Sequence, residues 1–152
     1  MRPRHIYIPL IVGALTPSLV VLALEMYGQK RPAGLPPPGS LWGAVYLAAL
    51  TLIPFAALIP ATKAFSARLT GWRLECVFWG GLVAVTAFTV FGHAAVWWPL
   101  YFRGYRMSST AVIAFLFIPF YSLGALAVGL LVGYVISLVA YVFPRGGSPW
   151  SS

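Results

Sequence analysis

Four apolar stretches, each long enough to cross a bilayer, take up most of this 152-residue chain. They run from about 5 to 27, 41 to 61, 74 to 98 and 109 to 143. A helix needs ~20 residues to cross the ~30 Å hydrocarbon layer. Water is absent there, so backbone groups must be satisfied within the segment or in a closed barrel. The alternation of a barrel strand is missing, and helices remain. The expectation is an all-α membrane protein, a four-transmembrane-helix bundle. Composition agrees. Charged residues make up 8% of the chain, against roughly 25% in soluble domains. A water-facing surface cannot be built from this material. The chain reads as a single integral membrane domain, 1–144, followed by a flexible Gly/Ser/Pro-rich tail, 145–152.

The fourth stretch is longer than one crossing requires. Its residues 109–143 would extend ~52 Å as a helix, at 1.5 Å per residue. Two crossings plus a turn would need more. Pro119 is the natural division, because proline removes a ladder hydrogen bond and bends a helix. One reading is a single long helix kinked near Pro119. The other is a short interfacial segment, 109–118, followed by a span from 120 to 143. The bent helix is preferred, with Ser108, Ser109 and Thr110 able to cap its start.

The ten basic residues all fall between or beside apolar runs. On a soluble protein a net charge of +8 would suggest nucleic acid. Here no basic stripe with interleaved aromatics lies outside the spans, so no nucleic-acid partner is expected. The bilayer itself is the expected partner, with Arg2, Arg4, Lys63, Arg68 and Arg73 as lipid-headgroup anchors, each worth ~1 kcal/mol near an anionic surface. The N-terminus, second link and tail hold Arg2, Arg4, Lys63, Arg68, Arg73 and Arg145. The other side holds Lys30, Arg31, Arg103 and Arg106. This bias favours both termini in the cytoplasm, in a plasma (inner) membrane. Met1-Arg-Pro-Arg resembles a signal-peptide n-region, but the run behind it is too long and no A-x-A-like site follows. It is expected to be a retained first span.

Only Glu25 and Glu75 are acidic. An ionisable group near lipid is expensive and marks a site to test. Rise counted from Arg4 puts Glu25 at the distal interface, ~31 Å along its helix. The same count from Arg73 puts His93 at ~30 Å. On that reckoning the two lie at one depth, as an ion- or proton-binding pair or as a polar interhelix contact. The plainer alternative has Glu25 in interfacial water or beside Lys30, Arg31, Arg103 or Arg106. Thr86, Thr89, His93 and Trp97 recur three or four residues apart, giving the third span a polar face. Ala125, Gly129, Gly133 and Ser137 recur at every fourth residue of the fourth. Such a small-residue stripe lets another helix backbone approach closely, from the same chain or another.

Enzymatic chemistry finds no residues to carry it, and no enzyme activity is expected. No carboxylate pair, Ser/His/Asp set or metal cluster can be assembled. Cys76 alone excludes disulfide and CxxC chemistry. His5 and His93 lie near opposite faces, which excludes an internal bis-His haem, and no cofactor or metal is expected. Two functions remain. One is an accessory or structural subunit that packs against other membrane proteins or itself. The alternative is a small oligomeric transporter or channel, with Glu25, and His93 beside it, as the coupling group.

Overall fold

The computed structural model describes residues 4–27, 41–103 and 109–142. They form α1 (Arg4–Tyr27), α2 (Leu41–Phe65), α3 (Trp72–Phe102) and α4 (Ser109–Val142), with no strand among the described residues. All four helices are long and apolar enough to span a membrane. The protein is a four-helix, all-α bundle, and its apolar exterior suits lipid. The link 28–40, the tail 145–152, the cap residue Ser108 and the basic residues Arg2, Lys30, Arg31, Arg106 and Arg145 lie outside the described residues. So do the side chains of Arg4, Ser109 and Thr110.

Helix α4 runs unbroken through Pro119, which removes the separate interfacial segment. Helices α2 and α3 outrun their hydropathy: α2 continues to Phe65, and α3 spans Trp72 to Phe102, through Pro99. The backbone ladder does not stop where apolar composition does. The link between α2 and α3 is correspondingly tight. The amides of Ser66 and Arg68 donate to the carbonyls of Lys63 and Phe65, and Leu69 tucks into the core at 3% exposure. Gly71, before α3, has φ 60°, a region that residues with a Cβ rarely enter.

Helices α2 and α3 touch each other, and each also touches both α1 and α4, while α1 and α4 do not meet among the described residues. The cross-section is therefore a rhombus with α2 and α3 on its short diagonal. Helices α3 and α4 pair most extensively and run antiparallel. Trp97 meets Phe115 near one end, Thr89 meets Ser122 midway, and the Arg73 guanidinium lies 4.9 Å over the Tyr141 ring at the other.

The small-residue stripe explains this closeness. A Cβ added to Gly133 would lie 2.5 Å from the Cys76 carbonyl oxygen, and one on Gly129 would lie 2.5 Å from that of Gly80. Added to Gly80, it would lie 2.6 Å from the Gly129 oxygen. Cys76, Gly80 and Ala84 thus form a second stripe at every fourth residue, on α3, facing the first. Gly129, Gly133 and Ser137 are buried and Ala125 is half-buried. The stripe's partner is in the same chain, so this close approach is already used inside the bundle. Without a hydrophobic drive between helices in lipid, such backbone packing is what holds them.

Two apolar cores lie along the bundle axis. One, toward the α2–α3 turn, is built on Phe55, Leu58, Val77, Phe78, Val85 and Leu130. The other, toward the α3 C-terminus, gathers Val20, Leu24, Trp97, Leu100, Phe115 and Ile118.

Candidate functional site

Buried polar groups collect where the two cores meet. Thr16, Thr51, Thr89, His93 and Ser122 are each at most 4% exposed. All four helices contribute one or more. Most of these groups are satisfied by backbone. Thr16 donates to the Val12 carbonyl at 2.7 Å and Ser122 to that of Ile118 at 2.7 Å. Hydroxyls return to their own helix in this way when no water is at hand. Thr51 also reaches across to α1, its hydroxyl 3.0 Å from the Gly13 carbonyl oxygen. The reason is Pro17, which has no N–H to donate four residues back, leaving that carbonyl free for another helix. Thr89 and Ser122 share a hydrogen bond of 3.1 Å between α3 and α4. Thr86, on the adjoining face, is half-buried.

His93 differs. Its ring is 1% exposed and stacks on Phe115 at 5.7 Å, and neither ring nitrogen has a hydrogen-bond partner among the described residues. The indole Nε1 of Trp97, one turn further along α3, is also buried without a partner. Leaving such groups unmade costs ~1–3 kcal/mol each. Three orphaned nitrogens at one place set this site apart from the threonines and serines around it. Phe115, whose ring packs against both His93 and Trp97, lies four residues before Pro119. Its carbonyl is therefore released from the α4 ladder.

Glu25 sits at the distal end of α1, exposed, and Tyr101 donates to its Oε1 at 3.4 Å. An acid in the last turn of a helix opposes the helix dipole, by ~0.3–1 kcal/mol at an exposed site. The tyrosine offsets part of that. Glu25 and His93 do not form a direct pair among the described residues; the exposed Glu25 matches the plainer interfacial alternative. Counting rise assumed that α1 and α3 start level at Arg4 and Arg73. The Glu25–Tyr101 contact instead sets the register, and Tyr101 lies two turns beyond His93. In this register Thr16, not Glu25, is level with the Gly92–His93 turn.

What joins Glu25 to His93 is the buried face of α3. Tyr101, Trp97, His93 and Thr89 follow one another at every fourth residue, all buried. From Tyr101 to Thr89 the file spans ~18 Å. Sequence periodicity gave Thr89, His93 and Trp97. It missed Tyr101, which lies past the 74–98 span, and Ser122, on another helix. A count continued in steps of four past the apparent end of the span would have found Tyr101.

The anchors are at the other end. Lys63 and Arg68 are exposed, and Arg73 is half-buried, its Nε buried with no hydrogen-bond partner among the described residues. Cys76 is half-buried, beside the α3–α4 crossing. Comparison with known protein families, curated proteins and solved structures finds no match to this chain.

Proposed function

We propose that this membrane protein acts through a polar site inside its own bundle, as a small transporter or channel for protons or a small polar solute. The observation that carries the reading is His93, fully buried in the apolar bundle with neither ring nitrogen hydrogen-bonded among the described residues. Ionisable groups inside membrane spans are costly and mark solute or proton paths. Glu25 is the acid at the mouth, and Tyr101 and Trp97 connect it to His93. The alternative, an accessory subunit held to partners by its small-residue stripe, loses its main support because that stripe is filled by Cys76, Gly80 and Ala84. We assign no enzymatic step. On the six-to-four basic bias we propose cytoplasmic termini in an inner or plasma membrane.

Reconstitution tests the reading. Vesicles holding the purified protein are given a potassium diffusion potential, and proton entry is followed with a trapped pH dye. Flux above that of empty vesicles, reduced at least tenfold by His93→Leu and lowered by Glu25→Gln, is the expected result. Vesicles no leakier than controls, together with a stoichiometric partner on purification from native membranes, would return the protein to the accessory role.

A further inference from the structure

Buried hydroxyls bond their own helices throughout the bundle, and what differs between its two halves is where unpartnered ring nitrogens lie. In the half toward the α2–α3 turn, the hydroxyls bond their own helix: Thr62 to the Leu58 carbonyl at 2.8 Å, Ser137 to that of Tyr134 at 2.7 Å. Around them Phe55, Leu58, Val77, Phe78 and Val85 are at most 1% exposed and make an apolar plug. In the half toward Glu25, His93 and Trp97 have buried nitrogens with no hydrogen-bond partner among the described residues, on the same face as Tyr101. On the Glu25 side of Thr89–Ser122 three ring nitrogens cluster without a partner among the described residues; on the other side the corresponding atom is Arg73 Nε, on a guanidinium that lies over the Tyr141 ring at the start of α3.

We infer that the face of α3 from Tyr101 to Thr89 lines a hydrated half-channel, open at Glu25 and closed at mid-bundle by the Thr89–Ser122 hydrogen bond and the Phe55–Val85 plug. The guest is water, and through it a proton or a small monovalent cation. The spacing fits. Side chains four residues apart on a helix are ~6 Å apart along its axis. Two hydrogen bonds meeting at one water, at its tetrahedral angle, span ~4.6 Å. One or two waters per turn would link Trp97 to His93 and His93 to Thr89. A neutral imidazole has one donor and one acceptor nitrogen, and the indole is a donor only. Water, which both donates and accepts, completes all three. The Phe115 carbonyl released by Pro119 adds an acceptor on the facing helix. Of the described charged groups, Glu25 and Arg103 belong to the open end, and Lys63, Arg68, Arg73 and Glu75 to the closed one.

The inference rests on His93 being a functional site, and its test separates the two claims. Single cysteines are placed at His93, Thr89 and Val85 in a Cys76→Ser background, with Arg68→Cys and Arg103→Cys marking the two faces through an impermeant maleimide. Silver ion, a small thiol-reactive cation, is applied in nitrate buffer to one face of sealed vesicles at a time. Free thiols are then counted with a fluorescent maleimide after denaturation. His93→Cys and Thr89→Cys should be protected at least tenfold faster from the Arg103 face than from the Arg68 face, and Val85→Cys from neither. If His93→Cys fails to stay monodisperse in detergent, Thr89→Cys carries the test alone. Protection from the Arg68 face, protection of Val85→Cys, or none at Thr89→Cys from either face overturns the half-channel. Proton flux by the unmodified protein in that event leaves the proposed function standing. One-sided protection without flux leaves the half-channel and removes transport.

Discussion

Adding one methyl group at Gly129 should loosen the whole bundle. Its Cβ would lie 2.5 Å from the Gly80 carbonyl oxygen and closer still to the Ala84 methyl, where ordinary contact begins at 3.4 Å. The obstruction is backbone, so no rotamer change relieves it. Helices α3 and α4 must separate by about 1 Å at that point, the Ala84 methyl setting the larger shortfall. A radial gap of ~0.5–1 Å forfeits a quarter to a half of each dispersion contact across it. Overpacking of this kind typically costs ~1–3 kcal/mol. The upper part of that range applies here, because the crossing extends from Cys76 to Ala84 and every contact along it is lengthened. We expect Gly129→Ala to lose ~2–3 kcal/mol. The assay is reversible unfolding in mixed micelles by titration with a denaturing detergent, followed by helical circular dichroism. Gly124→Ala is the internal control, since a Cβ there meets nothing within 4 Å. It should be neutral or slightly stabilising, as Ala exceeds Gly in helix propensity by up to ~1 kcal/mol. Equal stability of Gly129→Ala and the unmodified protein would refute the close crossing. Lost self-association with unchanged unfolding would mean that the stripe serves a second copy.

Other outcomes follow from the polar layer and the interfaces. His93→Leu should shift stability by less than ~1 kcal/mol in the same titration, because the imidazole it removes bonds water in the half-channel and not another side chain. A loss of more than 1 kcal/mol would mark His93 as a structural residue. Thr89→Val breaks the bond to Ser122, but Ser122 keeps its carbonyl. The expected loss is ~0.6 kcal/mol, the average for interhelical polar contacts in membranes, and a loss above 2 would show a wider network. In vesicles of neutral lipid, replacing Lys63, Arg68 and Arg73 together by Gln should leave membrane association unchanged. With anionic lipid it should remove ~1 kcal/mol of headgroup attraction per residue, read as a changed salt dependence of thermal stability.

How much was legible in the sequence follows from the range of each interaction. Span number and helical character need only local facts: run length, rise per residue and the ban on unsatisfied backbone in lipid. The polar face of α3 and the stripe on α4 are periodicities within one helix, so Thr89, His93, Gly129 and Gly133 could be named from spacing alone. Helix ends were less legible, because hydrogen bonding carries α3 to Phe102 where hydropathy suggested a stop near Trp98.

Register between helices is not a local property. The sequence put Glu25 level with His93 by assuming flush starts. Packing decides otherwise: Gly80 against Gly129 and Gly133 fixes how α4 slides on α3, and Tyr101 fixes where Glu25 sits. Only the tertiary structure could say that the stripe is filled by Cys76, Gly80 and Ala84, or that Thr51 takes the carbonyl Pro17 releases. The sequence by itself determined a four-helix membrane protein and the residues worth watching. Which of them finds a partner depends on backbone approach to within a few tenths of an ångström, and only assembly of all four helices decides that.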